Sequence, residues 1–411
     1  MLLYGINYAP ELTGIGKYTS ELASTFAANG HDVRVITAPP YYPAWKVDEG
    51  YSASKYRSQI WNDVRVFRTP LWVPQQPGGL KRLVHLASFA VSSLPVLLAQ
   101  WRWKPDVVWV VEPPLMCAPA AAAFASLRGA RSWLHIQDYE VDAAFDLGLV
   151  KGVVLRRWVA GIERWLMRRF DRVSTISGRM MERALAKGVA PERLVHFPNW
   201  ADISGTTPLA APSSYRAELG LAADAVVALY SGNMGNKQGL EILADLARLL
   251  ADDLRVQFVF GGNGSGRDNL EARCAGLPNV RFLDLQPLER LNDWLGLADV
   301  HLLPQRADAA DLVMPSKLTG MMASGRAVLA TAHPDTELGR VVAQDASCGV
   351  IVPPEDAKAM ADALRALAAD PARRAELGAN GRRYAERELS RDVILSRFEA
   401  QLKALVQGQP A

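Results

Sequence analysis

The stretch from Val226 to Gly239, VVALYSGNMGNKQG, decides how the rest of the chain is interpreted. An apolar run opens into Gly232, Gly235 and Gly239, with Lys237 between the last two glycines. This pattern predicts a strand, a glycine loop and the start of a helix. Glycine lets a backbone pass close to a ligand, and the free amides of a helix start attract anions, so phosphate is the expected ligand. The alternative is a parallel strand that turns into a helix through glycine and binds nothing.

The composition is that of an ordinary globular protein with two or three domains. The chain has 411 residues, of which 49% are hydrophobic and 22% are charged. The net charge of +3 gives no strong field, so no nucleic-acid partner is expected. Cys117, Cys274 and Cys348 are far apart and odd in number, which favours a reducing, cytoplasmic compartment. The first residues, MLLYGINYAP, lack the basic start and long apolar core of a signal peptide.

The first half alternates strands with helices. Residues 8–17 form a predicted loop that holds Gly14, Gly16 and Lys17 before an amphipathic helix, and we expect this loop to approach an acceptor or a diphosphate. Residues 41–76 are expected to be mostly irregular apart from one strand near 64–69. The strands of this half are expected at 2–7, 31–37, 64–69, 106–111, 132–137, 172–177 and 195–200.

Two helices of this half have unusual surfaces. Residues 83–101 are mostly apolar, but His85, several serines and Pro95 favour a buried or interfacial helix over a membrane span. Residues 151–172 carry seven basic side chains, with Trp158 and Trp165 spaced along the helix. Such a helix can lie on an anionic membrane, although an ordinary solvated face explains the pattern nearly as well.

His135 and Asp138 fall at the end of one predicted strand. The carboxyl ends of parallel strands are where α/β proteins bind ligands, so both residues are candidates for catalysis. A single histidine on a strand is as often a core residue whose hydrogen bonds are satisfied.

The second half repeats the alternation after a proline-rich linker at 201–214. A second glycine loop, GGNGSG, follows the predicted strand 256–260, and Pro315 with Ser316 suits a helix start. The tail from 356 to 405 is expected to be helical, with a break near Pro371. The chain therefore predicts an α/β protein with two doubly wound, Rossmann-like domains facing each other across a cleft. The expected domains are 1–203 and 204–385, followed by a C-terminal helix at 386–411 that packs toward the first domain.

Several motifs in order resemble those of GT-B glycosyltransferases, specifically the family-four group of retaining enzymes. The motifs are PELTGIGKYTSELA, GHDVRVIT, PNWAD, SGNMGNKQGLE, GGNGSG, PSKLTGMMASGRAVLAT and CGVIVPPED, and they cover essentially the whole chain. HIQDYEVDAAFDLGL and MPSKLTGMMASGRAVLA are similar to bacterial enzymes of colanic-acid and O-antigen assembly, among them fucosyl and N-acetylfucosaminyl transferases.

The resemblance implies a nucleotide-sugar donor on the second domain and an acceptor on the first. By position, the donor-binding residues are Gly232, Asn233, Lys237, Gly262, Asn263, Ser316 and Lys317. The family has paired glutamates eight residues apart, which fall here at Leu312 and Gly320. Asp311 beside the first position is the replacement expected to contact a sugar hydroxyl, and Glu337 is nominated for the ribose.

The implied reaction is retaining transfer by front-face attack, in which the departing phosphate helps to deprotonate the acceptor. The chain has no Asp-x-Asp pair, so we expect no metal and no other cofactor. The expected acceptor is a saccharide linked to a polyprenyl diphosphate, which would place the enzyme on the inner face of the cytoplasmic membrane. Two alternatives stay open: a nucleotide-sugar epimerase of the same fold, and a non-catalytic nucleotide-binding subunit.

Overall fold

The structure is a computed structural model that describes residues 1–11, 14–75, 79–146, 153–200, 203–235, 239–264, 266–306 and 316–408. The chain divides into two compact units. The first unit comprises Met1–Asn199 and Leu395–Ala411, and the second comprises Trp200–Ile394. Each unit is built on its own sheet, and the predicted α/β class is confirmed.

The first unit contains an eight-stranded sheet in the order β3-β4-β2-β1-β5-β6-β7-β8. Its strands are parallel except for β3, which pairs with β4 in the antiparallel sense. The central strand β5 is buried along its whole length, as expected for a parallel strand covered on both faces. The strands are β1 (Leu2–Tyr4), β2 (Arg34–Thr37), β3 (Arg57–Trp61), β4 (Val64–Arg68), β5 (Val107–Glu112), β6 (Arg131–Ile136), β7 (Arg172–Thr175) and β8 (Leu194–His196).

Six helices of the first unit follow these strands. They are α1 (Gly14–Ala28), α2 (Gly79–Ala99), α3 (Ala118–Arg128), α4 (Glu140–Asp146), α5 (Val153–Met167) and α6 (Gly178–Ala186). The core between helices and sheet is apolar and aromatic, with Tyr4, Phe89, Phe124 and Phe170 among its buried members.

Helix α2 is the long apolar helix that the sequence predicts. By length and composition, Gly79–Arg102 could cross a membrane. In the structure, one face is buried through His85, Phe89 and Ser93, and the Ser93 hydroxyl lies 2.5 Å from the hydroxyl of Tyr4 on β1. The opposite face is exposed at Leu80 and Leu98, among others. The helix is therefore part of the first unit and leaves an apolar face uncovered.

The second unit contains a six-stranded parallel sheet in the order β11-β10-β9-β12-β13-β14. Its strands are β9 (Val226–Ser231), β10 (Val256–Gly261), β11 (Val280–Leu283), β12 (Val300–Leu303), β13 (Ala327–Thr331) and β14 (Gly349–Val352). Its helices are α7 (Tyr215–Glu218), α8 (Glu241–Leu249), α9 (Arg267–Arg273), α10 (Leu291–Gly296), α11 (Ser316–Ala323), α12 (Glu337–Arg340), α13 (Ala357–Ala369) and α14 (Pro371–Tyr384).

The last helix, α15 (Arg391–Gln407), enters the first unit from Leu395 onward. Phe398 on this helix stacks on Phe197, with ring centroids 4.2 Å apart, and meets the edge of Trp133 at 4.8 Å. It also stacks on Phe26 at 5.9 Å. The C-terminal helix thus supplies an aromatic side chain to the core of the first unit.

Two predictions about elements need correction. The segment 41–76 is not irregular outside one strand, because β3 also forms there and pairs with β4 through a turn at Asn62 and Asp63. This strand, RSQIW, lies at the sheet edge and is mostly exposed, so it lacks the apolar run that marks a buried strand. The strands predicted at 2–7, 31–37, 172–177 and 195–200 are also shorter in the structure.

Candidate functional site

Two glycine loops lie side by side in the second unit. Strands β9 and β10 are parallel neighbours that end at the same level, with Ser231 opposite Gly261. The Gly232 amide donates to the Gly261 carbonyl at 2.9 Å, and the Met234 amide donates to the Asn263 carbonyl at 2.9 Å. The Gly266 amide donates to the Met234 carbonyl at 2.7 Å. These bonds join the two loops at the carboxyl edge of the sheet.

The close approach of the loops requires glycine. Gly232 and Gly262 have backbone φ angles of +126° and +139°, which residues other than glycine rarely adopt. A Cβ on Gly262 would lie 1.9 Å from the Gly232 carbonyl oxygen, well inside contact distance. The glycines therefore fix the shape of the two loops and leave the loop backbone accessible to a ligand.

Lys317 reaches the first loop from the first turn of α11. Its ammonium donates to the Tyr230 hydroxyl at 2.6 Å and to the Asn233 carbonyl at 3.1 Å. The stem passes over Gly232, where a Cβ would lie 2.7 Å from Lys317 Cε. Burial lowers the pKa of Lys317 from 10.5 to about 8. A cation and a helix start thus lie against the glycine loop, which is the combination that binds phosphate.

Side chains that the sequence did not single out brace both loops. Arg267 donates to the Gly262 carbonyl at 2.9 Å and to the Asn263 and Asp284 side chains, both at 2.6 Å. The Trp294 indole donates to Ser231 Oγ at 2.8 Å. The contacts of Arg267 with Asp284 and of Trp294 with Ser231 join residues far apart in sequence, so no local pattern could have identified them.

The remaining donor-site predictions have different outcomes. Asn233 and Asn263 are exposed on the two loops. Ser316 is the first residue of α11. Lys237 and Asp311 lie outside the described residues, and their assigned roles stay predictions.

Glu337 lies two strands away from the first loop. It begins α12, which follows β13, and β12 separates β13 from β9. Its side chain is buried and pairs with Arg340 at 2.9 Å. Its nomination as the ribose contact stays a prediction.

His135 is a core residue of the first unit, which argues against its predicted catalytic role. It is 1% exposed, its Nδ1 lies 2.9 Å from Ser174 Oγ, and its Nε2 lies 2.9 Å from the Gln137 side-chain nitrogen. The ring stacks on Trp109 with centroids 5.1 Å apart. Burial lowers the pKa of His135 to about 3, so the imidazole is neutral at physiological pH. With both ring nitrogens engaged, the structure favours the core interpretation, and the catalytic role of His135 stays a prediction.

Asp138 lies two residues beyond the end of β6 and is half-buried. Burial raises the pKa of its carboxyl above the ordinary value, whereas the charge of Arg82 opposes that rise. A carboxylate with a raised pKa at the carboxyl edge of a parallel sheet suits proton transfer. Asp138 therefore stays a candidate for catalysis at this edge of the sheet.

The predicted N-terminal loop is organised by a buried carboxylate that the sequence analysis did not identify. Glu11 accepts hydrogen bonds from the Tyr41 and Tyr42 amides, both at 3.0 Å. A Cβ on Gly16 would lie 2.6 Å from Glu11 Oε2, so the glycine makes room for the carboxylate. Gly14 begins α1 with φ of +61°, and Lys17 is half-buried one turn later. Gly14 and Gly16 thus shape a loop that is tied to the segment after β2.

Helix α5 presents an apolar and basic surface. Trp158 is 69% exposed and Trp165 is 54% exposed, and a groove of about 390 Å³ lies between them along Gly161. On the buried side, Glu163 pairs with Lys187 at 2.5 Å and anchors the helix. The exposed apolar side chains of α5 are Val153, Val154, Leu155, Trp158, Ile162 and Trp165.

Family models match most of the chain. The glycosyl transferase 4-like domain matches residues 13–200, and the glycosyl transferases group 1 model matches residues 225–370. The first match lies almost entirely within the first unit, and the second lies within the second unit.

Sequence relatives extend over the full length. The chain is 45% identical over 405 residues to WcaI of Escherichia coli, a glycosyl transferase named for colanic acid biosynthesis, covering 97% of this chain and 98% of the relative. It is 26% identical to glycogen synthase of Mycobacterium tuberculosis over 90% of this chain and 86% of the relative.

Solved structures share the fold. Sucrose-phosphate synthase from Thermosynechococcus elongatus superposes with a TM-score of 0.70 at 18% identity, covering 100% of both chains. HepE of Anabaena in complex with UDP gives a TM-score of 0.69 at 14% identity, covering 98% of this chain and 100% of that chain. At these identities the likeness establishes the architecture of the chain and nothing finer.

Proposed function

Since the chain belongs to the family-four glycosyltransferases of the GT-B fold, we propose that it moves a sugar, with retention, from a nucleoside diphosphate sugar to a saccharide acceptor. The donor is a UDP- or GDP-sugar. The acceptor is linked to a polyprenyl diphosphate, and the product enters bacterial exopolysaccharide or O-antigen synthesis. The name of the Escherichia coli relative supports the polysaccharide context, and the UDP complex of HepE supports a nucleoside diphosphate donor.

The observation that carries this proposal is the paired glycine loops with Lys317 against them. Breaking the bond between sugar and diphosphate requires stabilising negative charge on the departing phosphates. Open loop backbone, the helix start at Ser316 and the Lys317 ammonium, 3.1 Å from the Asn233 carbonyl, supply donors at one place. The leaving diphosphate then takes the acceptor proton as the new glycosidic bond forms on the face from which it departs.

Location is part of the proposal. The exposed apolar faces of α2 and α5, together with the arginines of α5, fit a peripheral position on an anionic membrane. A lipid-linked acceptor would be available at that surface.

The first test is calorimetric titration with UDP, GDP, ADP and dTDP in the presence of EDTA. We expect one diphosphate to bind without metal, and Lys237→Ala to weaken that binding by about 1 to 3 kcal/mol, as for a charge-assisted contact. Lys358→Ala, which removes an exposed lysine from α13, is the matched control and should bind like the wild type.

Incubation of the matching nucleotide sugar with and without lipid-linked saccharide then separates the three functions. A transferase moves the sugar to the acceptor, whereas an epimerase converts the sugar without one. Binding with no turnover in either mixture would indicate the non-catalytic subunit. Failure to bind any of the four diphosphates would contradict the proposed donor site.

A further inference from the structure

Tyr230 joins the first glycine loop to helix α11. It is fully buried near the end of β9, and the hydroxyl is the polar group of its side chain. The hydroxyl lies 2.7 Å from the Asn233 carbonyl oxygen and 2.6 Å from Lys317 Nζ. One phenolic group thus bridges the loop and the lysine.

The direction of both hydrogen bonds is fixed by chemistry. An ammonium can only donate and a carbonyl can only accept, so the Tyr230 hydroxyl accepts from Lys317 and donates to Asn233. Burial raises the pKa of Tyr230 further above its ordinary value, which keeps the phenol neutral and its proton in place. The hydroxyl therefore holds the ammonium at one point beside the loop.

Packing alone does not explain a tyrosine at this position. The ring belongs to an apolar core in which Phe258 and Phe260 occupy the adjacent strand β10. A phenylalanine would fill the same space without the cost of burying a hydroxyl. The lysine also lies over the ring, with Nζ 4.4 Å from its centroid, and a phenylalanine would retain that contact.

We infer that Tyr230 is a positioning residue, whose hydroxyl aims the Lys317 ammonium at the second phosphate of a nucleoside diphosphate held by the first glycine loop. This inference rests on the proposed function. Without the hydroxyl, the ammonium keeps its contact with the Asn233 carbonyl at 3.1 Å but loses the hydrogen bond of 2.6 Å that fixes its direction. The inferred role of Tyr230 in diphosphate binding operates through Lys317, so the two residues should contribute as one unit.

The test is a double-mutant cycle with Tyr230→Phe and Lys317→Met. Calorimetry measures the binding of UDP and UMP to each variant. If the wild type binds GDP, then GDP and GMP are used. We expect Tyr230→Phe to weaken diphosphate binding about tenfold, the loss typical of a hydrogen bond to a charged group. Monophosphate binding should not change. In the Lys317→Met background, Tyr230→Phe should have no further effect on diphosphate binding, because the ammonium that the hydroxyl positions is already gone.

Tyr215→Phe is the matched control. It removes a second buried tyrosine hydroxyl of the same unit, which donates to Gln286 Oε1 at 2.7 Å, and should leave the diphosphate-to-monophosphate ratio unchanged. Thermal unfolding of each variant checks that the fold is retained.

Additive effects in the cycle, an equal loss for monophosphate and diphosphate, or unchanged diphosphate affinity of Tyr230→Phe would each overturn the inference and leave the proposed function standing. A wild-type chain that binds no diphosphate would overturn both.

Discussion

Lys317 supplies a half-buried cation to the proposed donor site, against the first glycine loop. An ammonium attracts phosphate only while it is protonated, and burial places the pKa of Lys317 at about 8 in the unliganded chain. A bound diphosphate stabilises the charged form and raises that pKa again. The contribution of Lys317 to binding is therefore full well below pH 8 and weakens as the pH rises through 8, because the lysine must first take up a proton.

We expect diphosphate affinity to fall about tenfold between pH 7 and pH 9.5, the size of a lost charge-assisted contact. Lys317→Arg keeps its charge over this range and should remove most of the pH dependence. Lys317→Met should bind weakly and equally at both pH values. Calorimetry at the two pH values measures all three, and a wild type with no pH dependence would contradict the assignment.

The sequence predicted some of these residues and could not predict others. Glycine loops are visible because glycine itself is the signal, and both lie where they were expected. Arg267 and Tyr230 were missed because their partners are set by tertiary packing. The burial of His135 could not be predicted for the same reason, since only the structure shows Ser174 and Gln137 at its two nitrogens.

Among the helices and strands, buried strands were the easiest to predict. β5 and β6 lie within one residue of the predicted bounds 106–111 and 132–137, because each is a short apolar run. The exposed edge strand β3 has no such run. Helix α15 was expected from its pattern, but the polar contacts that hold it cannot be read from a single segment, because their partners lie near the start of the chain.

Glu399 fixes α15 to the first unit through these contacts. Its carboxylate pairs with Lys403 at 2.6 Å and His31 at 2.9 Å, and it accepts from Asn29 Nδ2 at 2.7 Å. The hydrogen bonds from Lys403 and His31 lower the pKa of Glu399 from 4.5 to about 2. A depressed carboxyl pKa contributes stability above pH 4.5, and this contribution is lost as the pH falls toward 2.

We expect Glu399→Gln to lower the free energy of unfolding by roughly 1 to 2 kcal/mol at pH 7, because it removes the charge from three hydrogen bonds. The difference from the wild type should shrink at pH 3. Glu376→Gln is the control, since Glu376 pairs with Arg373 on an exposed surface and such pairs contribute little. Thermal unfolding of the three proteins at both pH values gives the comparison, and equal melting temperatures at pH 7 would show that Glu399 does not hold the helix.

The net charge of the protein is too small to hold it on an anionic membrane, so membrane binding requires local apolar and basic surfaces. A net charge of +3 on 411 residues gives weak general attraction. The first unit nevertheless concentrates exposed apolar side chains on α2 and α5, and α5 adds arginines beside Trp158 and Trp165. Buried indole rings and arginines near anionic headgroups stabilise membrane binding together. Binding should therefore depend on lipid charge and on these two tryptophans.

Flotation with vesicles tests this dependence. We expect the protein to float with vesicles that contain anionic phospholipid, to float less with purely zwitterionic vesicles, and to be partly released by salt because screening weakens the arginine contribution. Trp158→Ala with Trp165→Ala should reduce flotation at least severalfold, since each exposed ring would bury apolar area worth about 2 kcal/mol. Leu127→Ala removes an exposed apolar side chain from α3 and should float like the wild type. Because all three side chains are exposed, these substitutions should leave the fold intact. If the wild-type protein does not float under any of these conditions, the proposed peripheral location is wrong.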